Sequence, residues 1–77
     1  MQLTIKYFGM LAEVTQCQEE TLTFDLQTVS DLVNALWVKY PLLKEKDFQV
    51  AQNCKIVNPK EIIKATEIAL LPPFAGG

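Results

Sequence analysis

The chain has 77 residues, a net charge of −2, and seven cationic side chains that are all lysines. That length supports one core, so a single domain over 1–77 is expected, and the missing arginine and unclustered lysines exclude nucleic acid as a partner. Without histidine or a CxxC spacing, the common zinc sites and Cys–His nucleophiles are excluded too, and no metal site is expected.

From Gln2 to Tyr7 the residues alternate, with Leu3, Ile5 and Tyr7 on one face and Gln2, Thr4 and Lys6 on the other, which predicts a half-buried strand. Phe8 falls on the polar face of that strand, and Gly9 then loosens the chain before a short turn or helical stub over Met10 to Val14. Thr15 to Glu20 is polar and reads as a loop. A second alternation, Thr21 to Leu26 with Leu22, Phe24 and Leu26 inward, predicts an antiparallel partner strand.

Thr28 stands as an N-cap, with Asp31 three residues on as a weaker form of a capping box. Val29, Leu32, Val33, Leu36, Trp37 and Tyr40 follow at spacings of three and four, one apolar stripe on a helix that Pro41 closes. Trp37 and Tyr40 at this spacing read as core rather than as a ligand-stacking pair.

Leu42 to Asp47 is a charged connection, Phe48 to Asn53 a third strand, and Lys55 to Val57 a short fourth one. Asn58-Pro59 marks a turn. Glu61 to Thr66 is irregular, with Ile62 and Ile63 expected under the sheet. Glu67 to Leu71 is the last strand, placing Ile68 and Leu70 on one face and Glu67, Ala69 and Leu71 on the other. One capped helix on one face of a mixed sheet of about five strands is an α+β arrangement. Its order suits a β-grasp fold, in which the first and last strands lie side by side at the centre.

The last residues differ from this body. Pro72 and Pro73 fix φ and carry no N–H, so they leave regular structure and stiffen a tail over 72–77 that ends in Gly76-Gly77. At ~3.1 Å per residue such a tail reaches on the order of 18 Å. The α-carboxylate of Gly77 has no side chain near it, so it fits a narrow channel in another protein; the plain alternative is a frayed terminus. Leu71 and Phe8 both fall on the exposed face beside this tail, with Ile56 near them, which predicts an apolar patch for a partner. A carboxylate is a poor electrophile and needs activation as a mixed anhydride such as an acyl-adenylate. The chain has no GxxxxGK[ST] loop, so a nucleotide-binding partner has to supply that step. The activated Gly77 then acylates a side chain or accepts sulfur. No apolar run reaches membrane-span length, so no membrane partner is expected. Cys17 and Cys54 stand alone after an opening Met1 with no leader-like segment, which suits a reducing cytoplasm.

Several stretches resemble a known family. Tyr7-Phe8-Gly9-Met10-Leu11-Ala12-Glu13 is similar to its YFAxxxE-like opening, and Phe48-Gln49-Val50-Ala51-Gln52-Asn53 to its VAVN-like central strand. Glu67 to Gly77 is similar to EVALLPPVSGG. On these residues the chain resembles the small subunits of molybdopterin synthase, ubiquitin-like sulfur carriers of the MoaD/ThiS family. The resemblance implies a protein that is not catalytic alone but is the sulfur-donating small subunit of a sulfurtransferase. It implies that Gly77 is adenylated by an E1-like, MoeB-like enzyme at the cost of ATP, with no cofactor held by this chain. A sulfur-donating enzyme then converts Gly77 to a thiocarboxylate, with Gly76 beside it in the tail. It further implies a heterotetramer with a MoaE-like large subunit, contacted by Phe8, Ile56 and Leu71 and by the tail residues Pro72, Pro73, Phe74 and Ala75. There sulfur passes to a cyclic pyranopterin monophosphate precursor in molybdenum cofactor biosynthesis. The alternatives are a carrier for thiamine thiazole synthesis, against which the Pro72-Pro73 pair speaks, and a covalent protein modifier. Three positions depart from the family pattern. Lys64-Ala65-Thr66 replaces a Gly-Asp pair before the last strand, which predicts strain at Ala65. Gln52 replaces an apolar residue, and Ala12 stands where a basic residue is common.

Overall fold

A computed structural model describes residues 2–23, 25 and 27–73. The alternation at the N-terminus becomes β1 (Gln2–Tyr7), in which Leu3, Ile5 and Tyr7 are buried. A short helix, α1 (Met10–Thr15), follows and turns the chain back into β2 (Glu19–Thr23), antiparallel to β1. β2 begins earlier than its alternation predicts. The ladder is already engaged at Lys6↔Glu19, because the Tyr7 N–H donates to the Gln18 carbonyl at 2.9 Å as the chain leaves α1. Phe24 and Leu26 lie outside the described residues.

The main helix, α2 (Val29–Lys39), begins at a complete capping box rather than a weak one. Asp31 N–H donates to Thr28 Oγ1 at 3.2 Å, and Thr28 N–H donates back to the Asp31 carboxylate at 3.1 Å. Backbone N–H groups of Thr28 and Gln27 hold the Asp31 carboxyl below the usual carboxylate range. The next free N–H groups of the helix are met from the far loop: Val29 donates to Glu61 and Ser30 to Pro59, at 2.9 and 2.8 Å. A helix of eleven residues is marginal in water by itself. Val29, Leu32 and Leu36 are wholly buried, each contributing about 1.5–3 kcal/mol of apolar transfer, which is what holds α2 on the sheet.

The connection after Pro41 is a 3-10 turn over Pro41–Glu45, which buries Leu43 completely, a core residue its charged surroundings conceal. β3 (Gln49–Gln52), β4 (Lys55–Ile56) and β5 (Glu67–Leu71) complete the sheet, in the order β2-β1-β5-β3-β4. β1 and β5 run parallel at the centre, and Ile68 and Leu70 of β5 are fully buried beside Ile5 and Tyr7 of β1. Asn53 and Cys54, which turn β3 into β4, both have positive φ, as a I′ hairpin requires.

Ile63 is buried as expected, but Ile62 is 59% exposed, because the bridge between Thr28 and Ile62 and the bond from Ile63 N–H to the Gln27 carbonyl direct only Ile63 inward. Ala65 carries no positive φ, so the strain expected there is absent, and Gln52 is the reason. Its buried amide oxygen accepts from the backbone N–H groups of Lys64 and Ala65 at 2.9 and 3.2 Å, and its Nε2 donates to the Ile62 carbonyl at 3.0 Å. The two departures from the family pattern therefore answer each other: a side-chain clamp shapes a loop that lacks glycine. Gln52→Leu should lower stability by about 2 kcal/mol, seen as a fall in Tm of about 10 °C. An unchanged Tm would show that water satisfies those backbone groups equally well.

Candidate functional site

The face of the sheet away from α2 carries the residues that face outward by register. Lys6 pairs with Ala69, Ala51 with Ala69, and Ala51 with Ile56, so these side chains share one surface. Phe8 continues β1 onto the same surface, and its N–H donates to the Leu70 carbonyl at 3.2 Å. The result is a shallow depression of about 540 Å³ whose apolar lining includes Phe8, Ile56, Leu71, Ala51 and Ala69. Phe8 is 45% and Ile56 53% exposed, whereas Leu71 is half-buried. The structure thus brings together the three apolar positions singled out from sequence. Ala51 and Ala69, whose small side chains leave the floor open, were not singled out; register is the only signal for them. At the margin, Lys6 and Glu67 form an exposed ion pair at 3.4 Å, worth little in water.

The tail root lies at one end of this face. Pro72 is half-buried and Pro73 exposed. Both line a cleft of about 200 Å³ with Met10, Leu11 and Lys46. Pro72 rests against Gly9, which has φ +59° and would bring any Cβ to 3.0 Å from Pro72 Cγ. Phe74, Ala75, Gly76 and Gly77, the predicted reacting end, lie outside the described residues.

Other candidates resolve differently. Tyr40 is structural: its hydroxyl donates to Glu20 at 2.6 Å, as does that of Tyr7. Trp37 is half-buried on a groove of about 550 Å³ between α2 and β3, with Lys44 Nζ 5.9 Å from its ring centroid. That groove is lined by Ser30, Lys44, Lys46 and Asp47 beside its apolar residues, and the proline root lines the neighbouring cleft instead. Cys17 and Cys54 are free thiols; Cys17 is half-buried within reach of Glu20, and Cys54 is exposed beside the apolar depression.

A five-stranded mixed sheet with parallel central strands and one capped helix defines a ubiquitin-like β-grasp domain. Solved structures share it. A Pyrococcus furiosus protein assigned as molybdopterin converting factor subunit 1 superposes with a TM-score of 0.86 at 21% identity, covering 95% of this chain and 98% of that one. Small archaeal modifier protein 1 of Haloferax volcanii gives a TM-score of 0.79 at 27% identity, covering 94% and 97%. Within that class the chain belongs to the ThiS family, whose pattern matches residues 5–77. A relative from Caenorhabditis briggsae named molybdopterin synthase sulfur carrier subunit is 31% identical over 83 aligned residues, covering 100% of this chain and 99% of the relative. Its Caenorhabditis elegans counterpart of the same name is 28% identical with the same coverage.

Proposed function

We propose that this chain is the sulfur-carrying small subunit of a molybdopterin synthase and that its reactive group is the C-terminal carboxylate of Gly77. The observation that carries the reading is the junction of β5 with the tail. The central strand runs from the buried core directly into Pro72-Pro73, beside an open apolar face formed by Phe8, Ile56 and Leu71. The whole-length similarity to relatives named as sulfur carrier subunits supports it. In this reading the apolar face docks on a large subunit, and the tail delivers Gly77 into that subunit's active site.

The chemistry follows from the electrophile. The Gly77 carboxylate attacks the α-phosphorus of ATP in an adenylating partner, releasing pyrophosphate and leaving an acyl-adenylate. Hydrosulfide supplied by a donor enzyme attacks the carbonyl carbon, displaces AMP and leaves a thiocarboxylate. In the large subunit that sulfur bonds to a carbon of the cyclic pyranopterin monophosphate precursor as a carbon–oxygen bond at that carbon breaks and the oxygen departs. Water then cleaves the resulting thioester, returning Gly77 to the carboxylate and leaving the sulfur on the precursor as a thiolate. This chain contributes no general acid or base; its part is to present one terminal group without steric hindrance. Gly76 assists because a residue without Cβ follows channel geometries closed to others. The free thiols of Cys17 and Cys54 suit a reducing cytoplasm. No helix among the described residues is long and apolar enough to cross a membrane.

A covalent modifier is the second reading, favoured by the similarity to small archaeal modifier protein 1. A carrier for thiamine thiazole synthesis shares the terminal chemistry and differs in the acceptor. Intact mass spectrometry after co-expression with adenylating and sulfur-donating enzymes separates carrier from modifier. The expected product gains the mass of one oxygen replaced by sulfur. Stable adducts on lysines of other proteins, without that gain, would replace the carrier reading with the modifier one. Incubating the sulfurated protein with large subunit and pterin precursor then distinguishes the two carriers.

A further inference from the structure

Two hollows flank the point where the chain leaves the sheet. Leu71 lines the apolar depression and the next residue, Pro72, lines the small cleft; Phe8 lines the depression and Met10, shortly after it, the cleft. The lining of the cleft divides by chemistry. Met10, Leu11, Pro72 and Pro73, from α1 and the tail root, make part of it apolar. Met10 is 56% exposed there, although Leu11 beside it is buried. The stretch between the 3-10 turn and β3 adds two carboxylates, Glu45 and Asp47, and one ammonium, Lys46. Both carboxylates are exposed. Among the described residues the ion pairs are Lys6–Glu67 and Lys39–Glu20, and neither Glu45 nor Asp47 belongs to one.

At about 200 Å³ the cleft is smaller than the roughly 300–1,000 Å³ of small-molecule sites, and it suits one long side chain instead. A partner that takes in the tail as far as its root covers this cleft. Covering Glu45 and Asp47 without supplying a positive group leaves charge buried and unpaired, which is strongly unfavourable. Covering Met10 and the prolines, by contrast, rewards an apolar contact, and an exposed methionine adapts to one. Lysine and arginine combine both properties, an apolar stem and a cationic head. We propose that the cleft at the tail root is a second contact of the docking surface and takes one lysine or arginine side chain of the large subunit. Its stem lies on Met10 and the prolines, and its head meets Glu45 and Asp47. The proposal rests on the large-subunit reading given above and adds to it a place and a charge for the partner.

The test is calorimetric titration of the full chain with the large subunit at low and high salt, beside Tm. Glu45→Gln with Asp47→Asn keeps the shape of both side chains and removes their charge. This double variant is expected to weaken Kd by more than about tenfold at low salt and to reduce the salt dependence of binding. Both positions are exposed, so Tm should stay within about 4 °C. Lys46→Gln, which removes the competing cation from the same rim, should tighten binding. Met10→Ala should weaken it, and by less in the uncharged background, because one partner side chain spans both parts of the cleft. Wild-type affinity in the uncharged variant, the same loss at both salts, or weaker binding by Lys46→Gln overturns the proposal. So do strictly additive losses in the cycle with Met10.

Other occupants of the cleft give different results. If the uncharged variant binds the large subunit normally but raises KM for the adenylating enzyme, the cleft serves that enzyme and the proposal is overturned. If the isolated chain self-associates in gel filtration and the variant abolishes this, the occupant is a lysine of a second copy, which overturns it too. Should the double variant not fold, Lys46→Gln decides alone: tighter binding upholds the proposal, and unchanged or weaker binding overturns it. Failure of the underlying reading looks different. A wild-type chain with no affinity for the large subunit removes that reading and the proposal with it. Affinity that Phe8→Glu lowers and the uncharged variant leaves intact keeps the reading and removes the proposal alone.

Discussion

Deleting Gly77 is expected to reduce thiocarboxylate formation and sulfur transfer by more than about 100-fold while leaving the fold intact. The shortened chain still ends in a carboxylate on glycine, so the intrinsic chemistry of the group hardly changes. What changes is its position, which retreats by about 3.5 Å, one residue of extended chain. Reactions between held groups depend on near-attack distances, and a misplacement of only about 1 Å already costs on the order of 100-fold. Stability should be indifferent, because the buried residues identified among those described all lie at or before Leu70. Phe8→Glu supplies the contrasting lesion. It places a charge in the apolar depression of a residue already 45% exposed, so the isolated domain tolerates it. The complex with the large subunit should lose about 2 kcal/mol of apolar burial, roughly 30-fold in Kd. Gel filtration and calorimetry with the large subunit, beside mass spectrometry of the terminus, separate the two effects. Full transfer activity without Gly77 would sink the terminal-carboxylate mechanism, and wild-type affinity in Phe8→Glu would show that the face is not the dock.

Features set by local periodicity were legible before the fold was known. β1 and β5 follow from strict alternation, and α2 from the Thr28–Asp31 box, its stripe and the stop at Pro41. Phe8 and Leu71 could be placed on one face because period two propagates along a strand whatever it pairs with. Features made by distant pairings were not legible. Leu43 is buried from within a charged stretch, and nothing nearby separates Ile62 from Ile63, whose orientations depend on bonds to Gln27 and Thr28. Gln52 reads as an anomalous polar residue until the loop that it clamps is seen, and Gly9 as a loosening of the chain until Pro72 is found against it. Glu20 lay in a stretch read as a polar loop, yet it is where β1, β2 and α2 are joined.

Replacing Glu20 should cause the largest loss of stability for any polar residue described here. Its carboxylate is 16% exposed and accepts from Tyr7 and Tyr40 hydroxyls, both at 2.6 Å, and from Lys39 Nζ at 2.7 Å. The two tyrosine rings also meet edge to face, with centroids 6.1 Å apart. Hydrogen bonds to a charged group contribute about 1.5–3 kcal/mol each, and a buried donor left unpaired costs a similar amount. Glu20→Ala strands the hydroxyl of buried Tyr7, so a loss of about 3 kcal/mol is expected. That is a large share of the roughly 4–12 kcal/mol available to a domain of this length, and it should lower Tm by about 15 °C. Burial pushes the Glu20 carboxyl up, but the bonds from Lys39, Tyr40 and Tyr7 and the Lys39 charge outweigh it, so its pKa lies below the ordinary 4.5. A group depressed in the folded state contributes stability that is complete above its unfolded pKa and disappears as pH falls through the folded one. Burial and the Glu20 charge push both tyrosines above their ordinary 10.0. Their contribution is therefore complete below that value and lost as pH rises beyond it. Wild-type Tm should accordingly fall on both sides, below about pH 4.5 and above about pH 10. Glu20→Gln, which keeps an acceptor but removes the charge, should flatten the acid limb of that profile. If Glu20→Gln tracks the wild type down to the lowest pH, the charge at Glu20 contributes nothing and the three bonds act as neutral ones.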